Sequence, residues 1–246
     1  MIASSRLASG LVAAAVLFTA CSDAQTADEV TTRTATGEES ISPSGDSADK
    51  WGVALVRVAN AAATTEKVIV RADPTQTLAA VEYMHVTPYT SIDRNWVTFE
   101  ISTTDSGMYE PLATNREMLT DGFRYTVVVM QDAERFTTRV LRDEISANMS
   151  RAHLRVIHAA GGIGEVDVVA RGGDTLFDGV NFTSEAGFKS LDPWTGTLEI
   201  RSEDGNRLLL SIPDVTLQAG KSRTIVLTRN TKGKLESFSF EDSQMP

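Results

Sequence analysis

The sequence contains one stretch twice, and this duplication constrains the fold more than any other feature. Residues 54–78 and 152–176 lie 98 positions apart and are identical at ten of 25 positions. The match continues, at an offset of 98 or 99, as far as Val128 and Val226. A period of this length corresponds to a whole small domain, so the sequence predicts two tandem domains of about 90 residues each.

Each copy consists of short runs in which apolar and polar residues alternate. Leu198 and Ile200 flank Glu199, so the two apolar side chains are expected on the buried face of a strand and the carboxylate on the other. Eight such runs are predicted in each copy, separated by Gly-rich and Asp-rich turns, and no segment has a helical apolar period. This pattern predicts an all-β fold of two tandem immunoglobulin-like antiparallel β-sandwich domains.

Two further expectations concern the side chains of these sandwiches. The large aromatic residues are predicted to fill the cores, at Tyr83, Tyr89, Trp96, Phe182, Phe188 and Trp194. Arg57 recurs as Arg155, and Glu100 recurs as Glu199. We therefore expect one cross-strand Arg–Glu pair on the outward face of each domain.

The first 21 residues have the pattern of an export signal. Arg6 precedes an apolar run from Leu7 to Ala20, which is shorter than the roughly 20 residues of a membrane-spanning helix. The sequence LFTAC that ends at Cys21 resembles a bacterial lipobox, in which the cysteine is lipidated and the chain is cut before it. The alternative is an ordinary signal peptide that leaves Cys21 as a free thiol.

We therefore expect residues 1–20 to be a lipoprotein signal peptide and Cys21 to anchor the protein to the bacterial cell envelope. The resemblance favours the outer membrane, on its periplasmic or surface face, since Ser22 follows the cysteine. Residues 21–51 are predicted to be a disordered acidic tether, because seven acidic and two basic residues lie between positions 22 and 50, with no aromatic residue. The first sandwich is predicted at 52–142, a linker at 143–151 and the second sandwich at 152–242.

The second copy also resembles a known family. The sequence RVIHAA at 155–160, followed by VDV at 166–168 and a glycine-containing turn near Gly220, is similar to the repeats of family 4397 of the domains of unknown function. The resemblance implies a β-sandwich of bacterial surface or envelope proteins, often in tandem, and implies no activity. The first copy departs from the pattern, with Asn60 and Ile69 where the second has His158 and Asp167.

His158 is the strongest candidate for a functional side chain. It ends a predicted strand on the inward face, where it could bind a ligand or act as a base beside Asp167 or Glu165. The alternative is a structural imidazole that hydrogen-bonds the loop backbone, a role that Asn60 could fill in the first copy because both side chains offer a donor and an acceptor.

Other chemistry finds no support in the sequence. The three histidines lack the paired spacing of a metal site, no serine or cysteine comes with a recognisable base, and we expect no catalytic residue, metal or cofactor. The net charge of −10 has the wrong sign for a nucleic-acid partner.

We therefore expect a non-catalytic binding or structural module for an envelope protein or a surface glycan. One alternative is an enzyme, or an accessory subunit of one, with a pocket near His158 and Asp167. A second is a carbohydrate-binding module, which requires exposed aromatic residues; Trp51, Trp96 and Trp194 are the candidates.

Overall fold

The structure, a computed structural model, describes residues 53–64, 66–73, 76–103, 110–143 and 148–242. The predicted signal peptide, Cys21 and the tether at 21–51 lie outside these residues. Within the described part, no helix is long and apolar enough to cross a bilayer.

The described residues form sixteen strands, and each lies at or close to a position where the sequence predicts one. They are β1 Ala54–Asn60, β2 Val68–Ala72, β3 Gln76–Val81, β4 Thr90–Ile92, β5 Trp96–Ser102, β6 Ala113–Met118, β7 Arg124–Asp132, β8 Arg135–Asp143, β9 Ala152–His158, β10 Val166–Ala170, β11 Thr175–Val180, β12 Glu185–Leu191, β13 Trp194–Ser202, β14 Leu208–Leu217, β15 Ser222–Arg229 and β16 Leu235–Asp242.

The strands form four sheets, two in each copy. The first copy has one sheet of order β4-β1-β7-β8 and another of order β3-β2-β5-β6. The second copy repeats both orders eight strands later, as β12-β9-β15-β16 and β11-β10-β13-β14. The predicted all-β fold of two tandem sandwiches is therefore confirmed.

One detail of the pairing differs from the prediction of antiparallel sandwiches. β1 pairs with β7 in parallel, and β9 pairs with β15 in parallel, whereas the other strand pairs are antiparallel. Hairpins make consecutive strands antiparallel. β1 and β7 are not consecutive, and the chain passes through the other sheet between them, so it can return in the same direction.

The core of each sandwich lies between its two sheets and follows the alternation seen in the sequence. Phe99 and Ile101 in β5, like Leu198 and Ile200 in β13, are fully buried. Val56 and Val58 of β1, in the facing sheet, belong to the same apolar cluster as the β5 residues. The inward orientation predicted for Leu198 and Ile200 is confirmed.

A third apolar cluster lies between the two copies, and we call this contact the seam. It contains Ala59, Ala61, Val128, Met130 and Leu141 of the first copy, and Ile157, Ala159 and Val226 of the second. These residues point away from the sandwich cores, so the central strands β1, β7, β9 and β15 are buried on both faces. Backbone pairing between Gln131 and Ala160, and a 2.6 Å hydrogen bond from Thr228 to the Ala61 carbonyl, also cross the seam.

Charged groups are buried in the seam beside this cluster. Asp143, the last residue of β8, accepts a 2.6 Å hydrogen bond from Nη2 of Arg155 in the other copy, and both side chains are 0 % exposed. Nη2 of Arg57 lies 3.5 Å from the same carboxylate, which also accepts hydrogen bonds from Thr126 and Tyr89. One carboxylate thus serves two buried guanidinium groups from different copies.

The predicted Arg–Glu pairs are therefore wrong. β9 and β13 lie in different sheets of the second sandwich, so Arg155 cannot pair with Glu199 across neighbouring strands. Glu199 instead accepts hydrogen bonds from Arg171 and Arg201. These hydrogen bonds hold the pKa of the Glu199 carboxyl below its ordinary value, and the bond from Arg171 has the largest effect.

The aromatic residues also differ from the prediction that they fill the cores. Trp96 is 56 % exposed. Tyr89 and Phe188 lie instead over the buried guanidinium groups of Arg57 and Arg155, at 4.7 and 4.5 Å. The remaining members of the set are half-buried: Tyr83, with its hydroxyl toward β15 and β16, Phe182 at the seam cluster, and Trp194 against the core of the second sandwich.

Candidate functional site

His158 ends β9 and is 0 % exposed. Its Nδ1 accepts a hydrogen bond from the Ala160 amide at 3.2 Å, so its Nε2 carries the proton and donates to the Gly164 carbonyl at 3.1 Å. Burial lowers the pKa of the imidazole below its ordinary value, against smaller opposing effects of the Gly164 and Ile163 backbone. The side chain is a neutral imidazole that fixes the loop after β9.

Asn60 makes the same kind of contacts in the first copy. Its Oδ1 accepts from the Ala62 amide at 2.9 Å, and its Nδ2 donates to the Val81 carbonyl at 3.0 Å. In each copy, the last residue of the first strand therefore accepts from the amide two positions later and donates to a backbone carbonyl. This interchange favours the structural interpretation of His158.

The structure does not bring the three candidate ligand-binding residues together around one opening. Asp167 is buried and accepts a 2.9 Å hydrogen bond from the Gly179 amide. Glu165 lines a surface groove of about 550 Å³ that also contains Glu203, Asp204 and Arg207. His158 is wholly buried and therefore has no surface to offer to that groove.

Four buried side-chain polar atoms lack a hydrogen-bond partner among the described residues, and two of them face each other on neighbouring strands. These two are Nδ1 of His153 in β9 and Oγ of Ser222 in β15, which stand opposite each other in the parallel pair. Ser222 is only 1 % exposed, so its hydroxyl is not accessible to a substrate. Within the described ranges, no three His, Cys, Asp or Glu side chains are grouped so as to hold a metal ion.

A cavity that sequence reasoning missed opens at one end of the seam, where β1, β7, β9 and β15 all end. It holds about 340 Å³ and is lined by Ala63, Gln131, Ala133, Gly161, Arg229, Asn230, Thr231 and Gly233. Two loops of each copy contribute to it. Because the offset of 98 pairs Gln131 with Arg229 and Ala63 with Gly161, the cavity lies where equivalent parts of the two copies meet.

Arg229 is the cationic residue in this lining. Its Nη1 donates to the Gly161 carbonyl at 2.7 Å and its Nε to the Gly233 carbonyl at 3.1 Å. A side chain at Gly162 or Gly233 would approach the guanidinium to 2.6 or 2.8 Å, and both glycines have positive φ. The backbone therefore leaves room for this side chain. The difference between Arg229 and Gln131 at equivalent positions was the sequence signal that could have indicated the site.

Trp96 is the exposed aromatic residue of the first copy, and Trp194 is half-buried. The guanidinium of Arg116 lies 5.1 Å from the Trp96 ring centroid. Met118, which stands opposite Trp96 on the neighbouring strand, is 53 % exposed. Trp51 lies outside the described residues. The two described tryptophans do not form one exposed aromatic platform.

These features define a class of protein: a tandem of two all-β sandwiches joined by a buried polar and apolar seam. The chain belongs to the family described as "Domain of unknown function (DUF4397)", which matches it at residues 54–169 and again at 152–246. The two matches agree with the duplication and with the resemblance noted in the second copy.

Other comparisons add little. No curated protein matches the chain significantly. A crystal structure of a "putative cell adhesion protein" from Bacteroides fragilis is similar at 11 % identity, over 78 % of this chain and 99 % of that one, with a TM-score of 0.20. A score this low says nothing about a shared fold or ligand.

Proposed function

We propose that the protein is a lipid-anchored component of the bacterial cell envelope that acts as a non-catalytic binding module for a surface glycan or an envelope protein. The observation that carries the proposal is the convergence of four loops, two from each copy, around one cavity at the end of the seam. Ligand sites commonly occupy such concave positions between domains.

The buried polar groups support a scaffold role for the rest of the molecule. His158, Asp167 and Asp143 all accept or donate hydrogen bonds within the protein, and the seam joins the two sandwiches. A rigid scaffold that presents loops at one end suits recognition, because it limits the entropy lost on binding.

The anchor is proposed on the sequence LFTAC and the acidic segment that follows it. Lipidation with two or more acyl chains would hold the protein stably at a membrane, and the acidic segment would act as a tether between the lipid and the first sandwich. The outer membrane remains the proposed location.

The anchor is tested by metabolic labelling of the full chain with a radioactive fatty acid in a bacterial host. We expect label on the wild-type chain and none on Cys21→Ala, with Ser22→Ala as a control that keeps the label. Intact mass after globomycin treatment should reveal the uncleaved precursor. An unlabelled wild-type chain cleaved after Ala20 would contradict the proposal.

The binding role is tested by crosslinking of intact cells, followed by identification of what is attached to the chain. Recovery of a glycan or of a defined envelope protein is expected. Turnover of a substrate that depends on the imidazole of His158, and is lost in a folded His158→Asn variant, would instead favour the enzyme alternative.

A carbohydrate-binding module is the second candidate because Trp96 is 56 % exposed. A sugar ring could stack on its indole only if the guanidinium of Arg116 moved from its place near the ring. Trp96→Ala tests this possibility: loss of glycan binding would place the glycan on the β3-β2-β5-β6 sheet, whereas unchanged binding would leave the cavity at the seam as the site.

A further inference from the structure

We propose that the cavity at the end of the seam binds a carboxylate-bearing sugar, a uronic acid unit of a surface glycan, with Arg229 as the group that recognises the carboxylate. This inference rests on the proposed binding function and names its ligand class.

The guanidinium of Arg229 is both fixed and available. Two of its three nitrogens are held by the carbonyls of Gly161 and Gly233. Among the described residues, the third nitrogen, Nη2, makes no hydrogen bond or ion pair, and the side chain lines the cavity. A fixed guanidinium loses little conformational entropy when it binds, and a carboxylate is its best-matched acceptor.

The difference between the two copies supports a ligand rather than a purely structural role. The first copy has Gln131 at the position of Arg229 and Ala133 at the position of Thr231. Gln131 donates to the Ala133 carbonyl, within its own hairpin. The same loop therefore closes without a cation, and the second copy places a cation and a hydroxyl where the first has neither.

A second cavity continues from the first and favours a sugar. It holds about 470 Å³ and shares Ala63, Gln131 and Thr231 with the first. The rest of its lining has two carboxylates, two hydroxyls and two apolar side chains, from Glu66, Glu134, Thr64, Thr103, Phe136 and Leu112. Carboxylates need hydrogen-bond donors, and a sugar has several hydroxyls that can donate. The ring of Phe136 offers a face against which the sugar C–H groups can pack. A peptide carboxyl terminus would offer about one donor per residue.

Together the two cavities offer the guanidinium of Arg229, which requires a hydrogen-bond acceptor, and the carboxylates of Glu66 and Glu134, which require donors. One uronic acid ring carries both matching groups, a carboxylate for the guanidinium and several hydroxyls for the carboxylates. Both cavities are open to the surface, and their volumes fall in the range of roughly 300–1,000 Å³ that is usual for small-ligand sites.

The test is calorimetric titration of the full chain with D-glucuronate, D-glucose and acetylalanine, the last as a carboxylate without hydroxyls. We expect glucuronate to bind at least about tenfold more tightly than either of the others. Arg229→Gln, which gives the second copy the residue of the first, should remove the preference for glucuronate over glucose. Arg207→Gln removes an exposed arginine from the surface groove that Glu165 lines, and it should leave the preference for glucuronate unchanged.

Three results would overturn the assignment: equal affinity for glucuronate and glucose, affinity for acetylalanine equal to that for glucuronate, or no heat of binding with glucuronate up to about 10 mM. If Arg229→Gln lowers the melting temperature sharply, Thr231→Val decides, because Thr231 lines both cavities and its hydroxyl makes no hydrogen bond within the described part of the chain. Unchanged glucuronate affinity in Thr231→Val would then refute the site. Crosslinking of the wild-type chain to an envelope protein despite such failures would leave the proposed binding function standing without this ligand.

Discussion

The sandwich cores and the seam differ in kind, although both are fully buried. Each core is an apolar cluster, with Phe99 and Ile101 in one copy and Leu198 and Ile200 in the other. The seam combines an apolar cluster with Asp143 between two buried guanidinium groups. An apolar core tolerates approximate packing, whereas a buried ion cluster is favourable only if the charges are in close contact and their other polar atoms are hydrogen-bonded. The seam therefore specifies one relative arrangement of the copies, and the cores do not.

The largest expected effect comes from breaking the ion cluster. Asp143→Ala should lower the free energy of unfolding by about 3–5 kcal/mol, because it removes the buried carboxylate that the guanidinium groups of Arg57 and Arg155 both contact. Arg155 would keep the half-buried carboxylate of Glu185 at 3.6 Å. Urea unfolding of the full chain measures this loss. A loss below about 1 kcal/mol would show that water reaches the guanidinium groups and that the seam is loose.

A matched pair of isoleucines compares the packing of the seam with that of a core. Ile157→Ala in the seam and Ile101→Ala in the first core remove the same atoms from positions that are 1 % and 0 % exposed. Each should cost about 2–5 kcal/mol in the same unfolding measurement. A cost for Ile157→Ala that is far below that for Ile101→Ala would mean that the seam is less well packed than a sandwich interior.

The histidine at the end of β9 should show a smaller effect that depends on its replacement. His158→Ala leaves the Ala160 amide and the Gly164 carbonyl without partners and should cost about 1–3 kcal/mol. His158→Asn restores the pattern of the first copy and should cost about 1 kcal/mol or less. Equal losses in the two variants would contradict the assigned hydrogen-bonding role.

The same residue gives a pH dependence whose sign follows from its burial. Because burial lowers the pKa of folded His158, the unfolded chain binds a proton there at a higher pH than the folded chain does. Stability should therefore fall as pH drops below the unfolded pKa of about 6.5. Between pH 7.5 and 5.5, wild type should lose more stability than His158→Asn, and an identical slope would contradict the buried neutral state.

The smallest effect is expected for an ion pair at the surface. Arg151 pairs with Asp192, whose side chain is 84 % exposed. Asp192→Ala should change the free energy of unfolding by about 1 kcal/mol or less, since water and salt screen such pairs. A loss as large as that of Asp143→Ala would show that burial is not what distinguishes the seam.

Sequence reasoning identified the elements of each copy but not the contact between the copies. Alternation located Leu198 and Ile200 because a strand has a period of two. The same rule assigned Arg57 and Arg155 to the outward face, which is correct for one sandwich alone. It could not reveal that the outward faces of two sheets bury each other, which places Tyr89 and Phe188 over guanidinium groups. Trp96 precedes the buried Val97 in β5, so its exposure follows from the period of two and not from the seam.

The candidate sites also differ in whether they depend on one copy or on the contact between the two. The exchange of Asn60 for His158 was visible in the aligned copies, and it indicated the backbone role that the hydrogen bonds now describe. The cavity lined by Arg229 and Gln131 is formed by loops from both copies, so it exists only once the seam is formed. The anchor at Cys21 lies outside the described residues and stays a prediction.

Hydrogen exchange with mass spectrometry, carried out on the full chain in increasing urea, tests most directly whether the seam makes the two copies one folding unit. Peptides from β5 in the first copy and β13 in the second should lose protection at the same urea concentration in wild type. In Asp143→Ala, protection of β5 and β13 should be lost at lower and separate concentrations. Loss at two different urea concentrations in wild type would contradict the account, because it would mean that the two sandwiches unfold independently.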